Sequence, residues 1–285
     1  MRLRIALQKQ GRLAEGSTEL LRKCGIRFSN GRHGQLRAEA TGFPLEIFFL
    51  RDDDIPDYVA DGVADAGVVG ENILAEDPKN VTVVEKLGFG RCRLSLAVPK
   101  GAEFGDLSDI DSKRVATSYP RILKRFLDAR GISADIHEIT GSVEIAPSIG
   151  LADAICDLVS SGSTLFSNGL KEVQTVLESE AVLIAHPNLD DQRSELLDKL
   201  LFRIRSVRAA SENKYILLNA PADKVAEISR ILPGMRAPSL VPLGEPGWVS
   251  MHSVISEEDF WEVVDNLKRC GAEGILVLSI DHMIR

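Results

Sequence analysis

Apolar stretches of strand length alternate with amphipathic stretches of helix length as far as residue 208. Leu3–Leu7 reads as a strand, and Leu13–Cys24 as a helix stopped by Gly25. Strands follow at Leu45–Leu50, Ala66–Val69, Val81–Leu87 and Leu94–Val98, with a short helix over Ile55–Asp61. A second unit begins near Arg91–Lys100. Its strand at Arg114–Thr117 leads into a helix over Tyr119–Arg130, whose Ile122, Leu123, Phe126 and Leu127 share one face and which ends at Gly131. Strands at Ile136–Ile139 and Ala154–Val159 complete that unit, and the segment Val173–Ala185 with a helix over Gln192–Val207 returns to the first. Alternation of this kind builds a mostly parallel sheet covered by helices, here predicted as two α/β lobes flanking a cleft.

After Ala209 the pattern changes. A strand at Lys214–Asn219, a helix over Pro221–Leu232 closed by Pro233-Gly234, strands at Arg236–Leu243 and Trp248–Ile255, a helix capped by Ser256 with Asp259 three residues on, and a last strand at Gly274–Ile280 give the order βαββαβ. That is a ferredoxin-like module. The predicted division is therefore 1–90 with 174–208 as the first lobe, 91–173 as the second, and 209–285 as a separate tail domain.

The chain has 285 residues, 44% hydrophobic and 27% charged, as expected of a globular protein with an aliphatic core. No apolar run has the roughly 18 to 20 residues a membrane-spanning helix needs. The opening MRLRIALQKQGRL is too polar for a signal peptide, so a cytosolic protein with no membrane partner is expected. Cys24, Cys92, Cys156 and Cys270 form no CxxC pair and are predicted to be buried free thiols. The net charge of -8 argues against a nucleic-acid coat protein. It is unevenly spread: residues 1–51 carry 10 Lys/Arg against 4 Asp/Glu, leaving 24 basic and 38 acidic side chains in the remainder. The basic stretch reads either as ordinary solvated faces or as a site that attracts an anion.

The stretch richest in chemistry is GLADAICDLVSSGSTLFSNG at 150–169. An apolar strand carrying Asp153 and Asp157 runs into Ser160, Ser161, Gly162, Ser163 and Thr164, where a helix starts. Backbone N–H groups, hydroxyls and a helix dipole suit a phosphate there, and the carboxylates suit sugar hydroxyls or a cation. The competing reading is a plain strand-to-helix turn with an N-cap. Neither a GxxxxGK[ST] nor a GxGxxG pattern occurs. Lys9 and Arg12 flank Gly11 after the first strand, and Arg51 ends another, where open α/β sheets bind ligands. Asp52-Asp53-Asp54 reads as an acidic helix start with an ion pair to Arg51 rather than a metal site. The turn GVVGE, ending in Glu71, has low specificity. His33, His137, His186, His252 and His282 show no metal-ligand spacing.

These residues carry a family resemblance. RIALQKQGRL, RDDDIP at 51–56, DAGVVGEN at 65–72, RLSLAVP at 93–99, KRVATSYP at 113–120 and GSVEIAPSIGLADAICDLVSSGSTLFSNGL at 141–170 resemble, in order and along essentially the whole chain, the ATP phosphoribosyltransferases of histidine biosynthesis in their long form. The resemblance implies two periplasmic-binding-protein-like lobes and an ACT-like regulatory tail. It implies ATP and phosphoribosyl pyrophosphate as substrates, Mg2+ as cofactor with ligands unknown, and histidine as inhibitor. Lys9, Arg51, Asp153 and Asp157 would be catalytic; Arg12, Arg32, Glu71 and Ser160–Thr164 would bind substrate. Asn219 and Ser239 are the expected effector contacts, although turn roles or an assembly role for the tail fit them equally. A homo-oligomer is expected. The lobes alone would equally suit a two-lobed small-molecule receptor without turnover.

Overall fold

The computed structural model describes residues 1–29, 35–232 and 234–284, and the chain divides into two compact units, Met1–Leu197 and Asp198–Arg285. In the first unit, β1 (Leu3–Gln8) leads into α1 (Arg12–Lys23), followed by β2 (Arg37–Glu39), β3 (Leu45–Leu50), α2 (Ile55–Ala60), β4 (Ala66–Gly70), α3 (Glu71–Glu76) and β5 (Thr82–Lys86). The chain then crosses to β6 (Cys92–Pro99), β7 (Arg114–Thr117), α4 (Pro120–Asp128), β8 (Asp135–Glu138), β9 (Ala154–Val159), α5 (Ser163–Ser167) and β10 (Leu170–Ser179), and returns to β11 (Ala181–Ala185) and α6 (Asp191–Ser211).

Two sheets result, ordered β2-β3-β1-β4-β11-β5 and β10-β6-β9-β7-β8. The first three residues of the predicted grammar, Leu3, Ile5 and Leu7, are buried because β1 lies centrally, parallel to β3 and β4, with both faces covered. In the second sheet β9, β7 and β8 are parallel, while β6 runs antiparallel to β9 and β10. Leu94, Leu96 and Val98 face a core with Ile122, Leu123 and Leu127 of α4, and Ala97 faces the opposite core with Ile155, Val159 and Leu165.

The return to the first lobe differs from the expectation. The predicted boundary is residue 174, but all of β10 pairs with β6, and the crossing falls between Ser179 and Ala181. Ten residues, nearly all half-buried, make a long edge strand, and nothing in that even burial marks a change of sheet partway along. The two crossings are tied together: Leu87 N–H donates to Ala181 C=O and Ala181 N–H to Phe89 C=O, each at 2.9 Å. On one side of the cleft α3 and α4 also meet. The Glu76 carboxylate accepts from the N–H groups of Arg121 (2.8 Å) and Ile122 (3.0 Å), which are free at the start of α4.

The second unit begins inside α6, earlier than the predicted residue 209, because the helix continues unbroken to Ser211. Its sheet contains β12 (Asn213–Pro221), β13 (Ser239–Pro242), β14 (Trp248–Ser256) and β15 (Glu273–Ser279) in the order β13-β14-β12-β15, all antiparallel, with α7 (Val225–Ile231) and α8 (Phe260–Arg269) between strands. Ile216, Leu218, Ala220 and Met251 form one core with Ile228 of α7 and Leu267 of α8. That is the βαββαβ architecture read from the sequence. Pro233, expected to help close α7, lies outside the described residues. Ser256 and Asp259 do pair reciprocally, Ser256 Oγ accepting from Asp259 N–H at 3.0 Å, but α8 starts after them. Cys24, Cys156 and Cys270 are buried free thiols and Cys92 is half-buried. No helix among the described residues is long and apolar enough to cross a membrane.

Candidate active site

Parallel register brings the basic residues together. Gln8 pairs with Leu50, so Lys9 and Arg51 leave the carboxyl ends of adjacent strands side by side, and Lys9 N–H donates to Leu50 C=O at 2.9 Å. Both side chains are exposed. One residue beyond a left-handed Gly11 (φ 94°), Arg12 opens α1 and donates through Nη1 to Ser160 Oγ at 2.6 Å, a bond between the two lobes. Beneath lies a cleft of about 470 Å³ whose lining includes Gln8, Arg12, Asp52, Asn72, Tyr119 and Ser160. Asn72 Nδ2 donates to the Tyr119 hydroxyl at 3.2 Å, and Asn72 Oδ1 accepts from Ser179 Oγ at 2.9 Å. Burial, and then the Asp157, Asp52 and Asp53 carboxylates around it, push the Tyr119 phenol above its ordinary pKa.

The turn after β9 is built as the composition suggests. Ser161 Oγ and Ser163 Oγ are 2.9 Å apart and Gly162 takes φ 80°, a conformation that favours glycine. The helix it opens, however, is only five residues long. A single turn has little macrodipole, so the anion-binding capacity rests on N–H groups and hydroxyls. Asp157 sits three residues before the turn. Its Oδ1 accepts from Leu158 N–H at 2.7 Å, and burial, helped by the neighbouring Glu144, raises its pKa above the ordinary carboxylate range.

Two expected site residues, Asp153 and Glu71, are engaged by other partners. Asp153 lies before the first residue of β9, at the far end from the turn, roughly 13 Å from Asp157 at the rise of an extended strand. Arg114 holds it there: Nη2 donates to Oδ1 at 2.9 Å and the Arg114 N–H to Oδ2 at 3.0 Å. This pairing pulls the Asp153 pKa down to about 2. The sequence put two acids on one strand; strand length puts them at opposite ends. Glu71 faces the crossings, paired with Lys86 at 2.8 Å and accepting from Glu180 N–H at 3.4 Å. Arg32 lies outside the described residues. Asp52–Asp54 do precede α2, but among the described residues Arg51 makes no ion pair with them; burial, then Asp52 and Asp54, raise the Asp53 pKa. No group of three metal-ligating side chains occurs among the described residues.

A family model for ATP phosphoribosyltransferase matches residues 51–206, and one for the HisG C-terminal domain matches 210–282. The chain is 55% identical over 283 residues to an ATP phosphoribosyltransferase of Cytophaga hutchinsonii and 53% identical over 282 to one of Phocaeicola vulgatus, with 99% of each chain covered in both cases. It belongs to the ATP phosphoribosyltransferase family.

ATP phosphoribosyltransferases catalyse the first step of histidine biosynthesis, and the whole-chain match makes this one a long form with the C-terminal domain. Among solved structures, a Thermotoga maritima ATP phosphoribosyl transferase (HisG:HisZ) complex superimposes with a TM-score of 0.61 at 29% identity, over 71% of this chain and 96% of that one. A periplasmic sulfonate-binding protein of Methylobacillus flagellatus, 17% identical with a TM-score of 0.50 over 72% of this chain and 67% of that one, shares the two-lobed fold alone.

In the C-terminal domain of this ATP phosphoribosyltransferase, Asn219 pairs with Ser250 and Ser239 with His252. Registers therefore put both expected effector positions on one sheet face, opposite the Met251 core, around a network the sequence did not reveal. The Tyr215 hydroxyl is 2.7 Å from His252 Nδ1, and Ser250 Oγ is 3.2 Å from Nε2. His137 pairs with Asp135 and His186 Nδ1 accepts from Asn188 N–H, both local roles. Also missed were Tyr119, Asn72 and Glu144. All three lie inside blocks of the family resemblance but carry no chemical pattern of their own; the fold brings Asn72 and Tyr119 together in the cleft and Glu144 near Asp157.

Proposed function

We propose that phosphoribosyl pyrophosphate binds with its 5'-phosphate on the Ser160–Thr164 turn and its ribose beside Asp157, and that Lys9, Arg12 and Arg51 neutralise the departing pyrophosphate and the ATP triphosphate. N1 of the adenine then displaces pyrophosphate at the anomeric carbon. The observation that carries this reading is the position of Asp157: a half-buried carboxylate three residues before the turn whose Ser160 bonds to Arg12 of the other lobe. Asp153 has no part in it, being engaged by Arg114 at the other end of the strand.

The chemistry follows from where charge develops. Breaking the C–O bond leaves negative charge on pyrophosphate and positive character on the ribose ring. Exposed cations at the ends of β1 and β3 favour the first; Asp157, once deprotonated, favours the second. No protein nucleophile is required. Tyr119 and Asn72 wall the cleft and exclude water from the reacting carbon.

Mg2+ fits the donor set as an ion carried by the polyphosphate, since Mg2+ sites use one or two carboxylates plus substrate oxygens. Asp157 and Glu144 are the candidates: after burial, the Glu144 charge adds to the raised Asp157 pKa, a repulsion a cation would relieve. Bound Mg2+ would supply charge stabilisation to the leaving group.

In the tail, histidine as inhibitor is supported by the shared face of Asn219, Ser239, Ser250 and His252, whose donors and acceptors suit an amino acid. A homo-oligomer is proposed with it, the same sheet carrying exposed Leu276 and Leu278. The test is pyrophosphate release from ATP, phosphoribosyl pyrophosphate and Mg2+, with pyrophosphatase present and with or without histidine. Absence of release from folded protein would refute the catalytic reading, and release that histidine leaves unchanged would refute the regulatory one.

A further inference from the structure

A second cleft, of about 500 Å³, adjoins the first and shares Arg91, Cys92 and Ser160 with it. Its other cations are already neutralised. Lys86 pairs with Glu71 at 2.8 Å and Glu180 at 3.6 Å, and both outer nitrogens of the Arg93 fork, Nε and Nη2, donate to the Glu172 carboxylate at 2.5 Å. Arg91 differs from both. It is exposed, and among the described residues no carboxylate pairs with it. An unpaired guanidinium common to two clefts, next to a serine already bonded to Arg12, is placed for a ligand with several phosphate oxygens.

The backbone around Arg91 is held rather than loose. Gly88 (φ 77°) and Gly90 (φ 66°) both take left-handed conformations, so the chain turns twice within three residues. Between them Phe89 packs on α1 where Gly16 leaves room: a Cβ there would come within 2.3 Å of the ring. The Phe89 carbonyl is simultaneously fixed by Ala181 N–H at 2.9 Å. On the next residue, a Cβ at Gly90 would stand 3.3 Å from Leu13, one position from Arg12. The crossing therefore delivers Arg91 beside the first turn of α1, with its side chain on the cleft.

We infer that the two clefts form one continuous trough and that Arg91 binds the polyphosphate of a substrate where they join. The assignment rests on the proposed site around Arg12, Asp157 and Ser160. The polyphosphate is either the triphosphate of ATP or the pyrophosphate of phosphoribosyl pyrophosphate, since the guanidinium fork reads oxygens that both present.

The test uses full-length protein with Arg91→Ala and Arg91→Lys. KM for each substrate is measured with the other saturating, together with kcat, the KCl dependence of kcat/KM and the melting temperature. Losing one charge-assisted hydrogen bond should raise the affected KM about tenfold with kcat little changed. A rise for ATP assigns the triphosphate, a rise for phosphoribosyl pyrophosphate the pyrophosphate, and a rise for both a contact shared along the trough. Arg91→Lys should recover part of the loss, and Arg91→Ala should flatten the salt dependence. Unchanged KM for both substrates overturns the inference. So does a fall in kcat with lowered melting and no recovery by lysine, which marks a structural role at the crossing. Asp157→Asn is run in parallel: if it keeps full activity, the site reading itself has failed, whereas its loss beside a normal Arg91→Ala removes Arg91 alone.

Discussion

Arg12, the first residue of α1, donates to Ser160 Oγ in the turn after β9 at 2.6 Å, a bond between the two lobes. The bond keeps a guanidinium at the mouth of the Ser160–Thr164 turn and makes one wall of the cleft answer to the other. In the proposed binding mode, a phosphate at the turn takes over both partners. Arg12→Ala should therefore raise KM for phosphoribosyl pyrophosphate by at least about tenfold, the scale of one charged hydrogen bond. Steady-state kinetics with ATP saturating measure it; an unchanged KM would remove Arg12 from the site.

Asp157→Asn keeps shape and removes charge. If the carboxylate stabilises positive character on the ribose, kcat should fall by about 2 to 4 kcal/mol of barrier, or roughly 30- to 1,000-fold. The fold should tolerate the change, because burial makes the charged form costly there.

The same residue sets a pH dependence. Its pKa is raised, and the anion is the useful form, so kcat/KM should drop as pH falls through a value above the ordinary carboxylate range. In Asp157→Asn that acidic limb should disappear from the remaining activity. Persistence of the limb would assign it to another group.

Asp153 is expected to matter for stability, not turnover. Arg114 holds its folded pKa at about 2, against an ordinary value of about 3.9. A depressed carboxylate contributes stability above its unfolded pKa and loses it as pH falls from about 4 towards 2. Urea denaturation of wild type and Asp153→Asn should therefore differ at neutral pH and converge under acid. The difference will be modest, since the side chain is 42% exposed.

Glu76 caps a helix that belongs to the other lobe. Glu76→Ala leaves the Arg121 and Ile122 N–H groups without their acceptor and should destabilise the unit by about 1 kcal/mol, as loss of a cap typically does. Equal urea midpoints for variant and wild type would show that water replaces the carboxylate at no cost.

In the tail, His252→Ala removes the side chain that joins Tyr215 to Ser250 on the face shared by Asn219 and Ser239. Histidine inhibition should weaken while uninhibited turnover is retained. Full sensitivity would move the effector site off this face.

Periodicity was enough for most elements. The alternation of β3, the continuous apolar runs of β1 and β11 and the apolar stripe of α4 are written in residue order, because local sterics and burial decide them. The turn at Ser160–Thr164 and the cations at Lys9, Arg12 and Arg51 were legible for the same reason: each lies next to a strand end that its own neighbours define. Pairing was not legible. β10 reads like a strand that could join either sheet, and only its hydrogen bonds to β6 put the crossing at Ser179–Ala181.

The sequence by itself determined three things: two α/β lobes with a βαββαβ tail, the family, and the local chemistry of the turn after β9. Tertiary structure decided which of the charged residues that chemistry uses. Asp153 and Asp157 are four positions apart in the chain, yet one is neutralised by Arg114 and the other is half-buried next to the turn at Ser160. Glu71 is paired with Lys86, while Tyr119, Asn72 and Arg91, which carry no chemical pattern in the sequence, meet at the cleft because two crossings and an α3–α4 contact bring distant segments together. The physical reason is range: hydrophobic periodicity is a property of neighbours along the chain, whereas the charge state and partners of a carboxylate or guanidinium are set by whatever the fold places within a few ångströms.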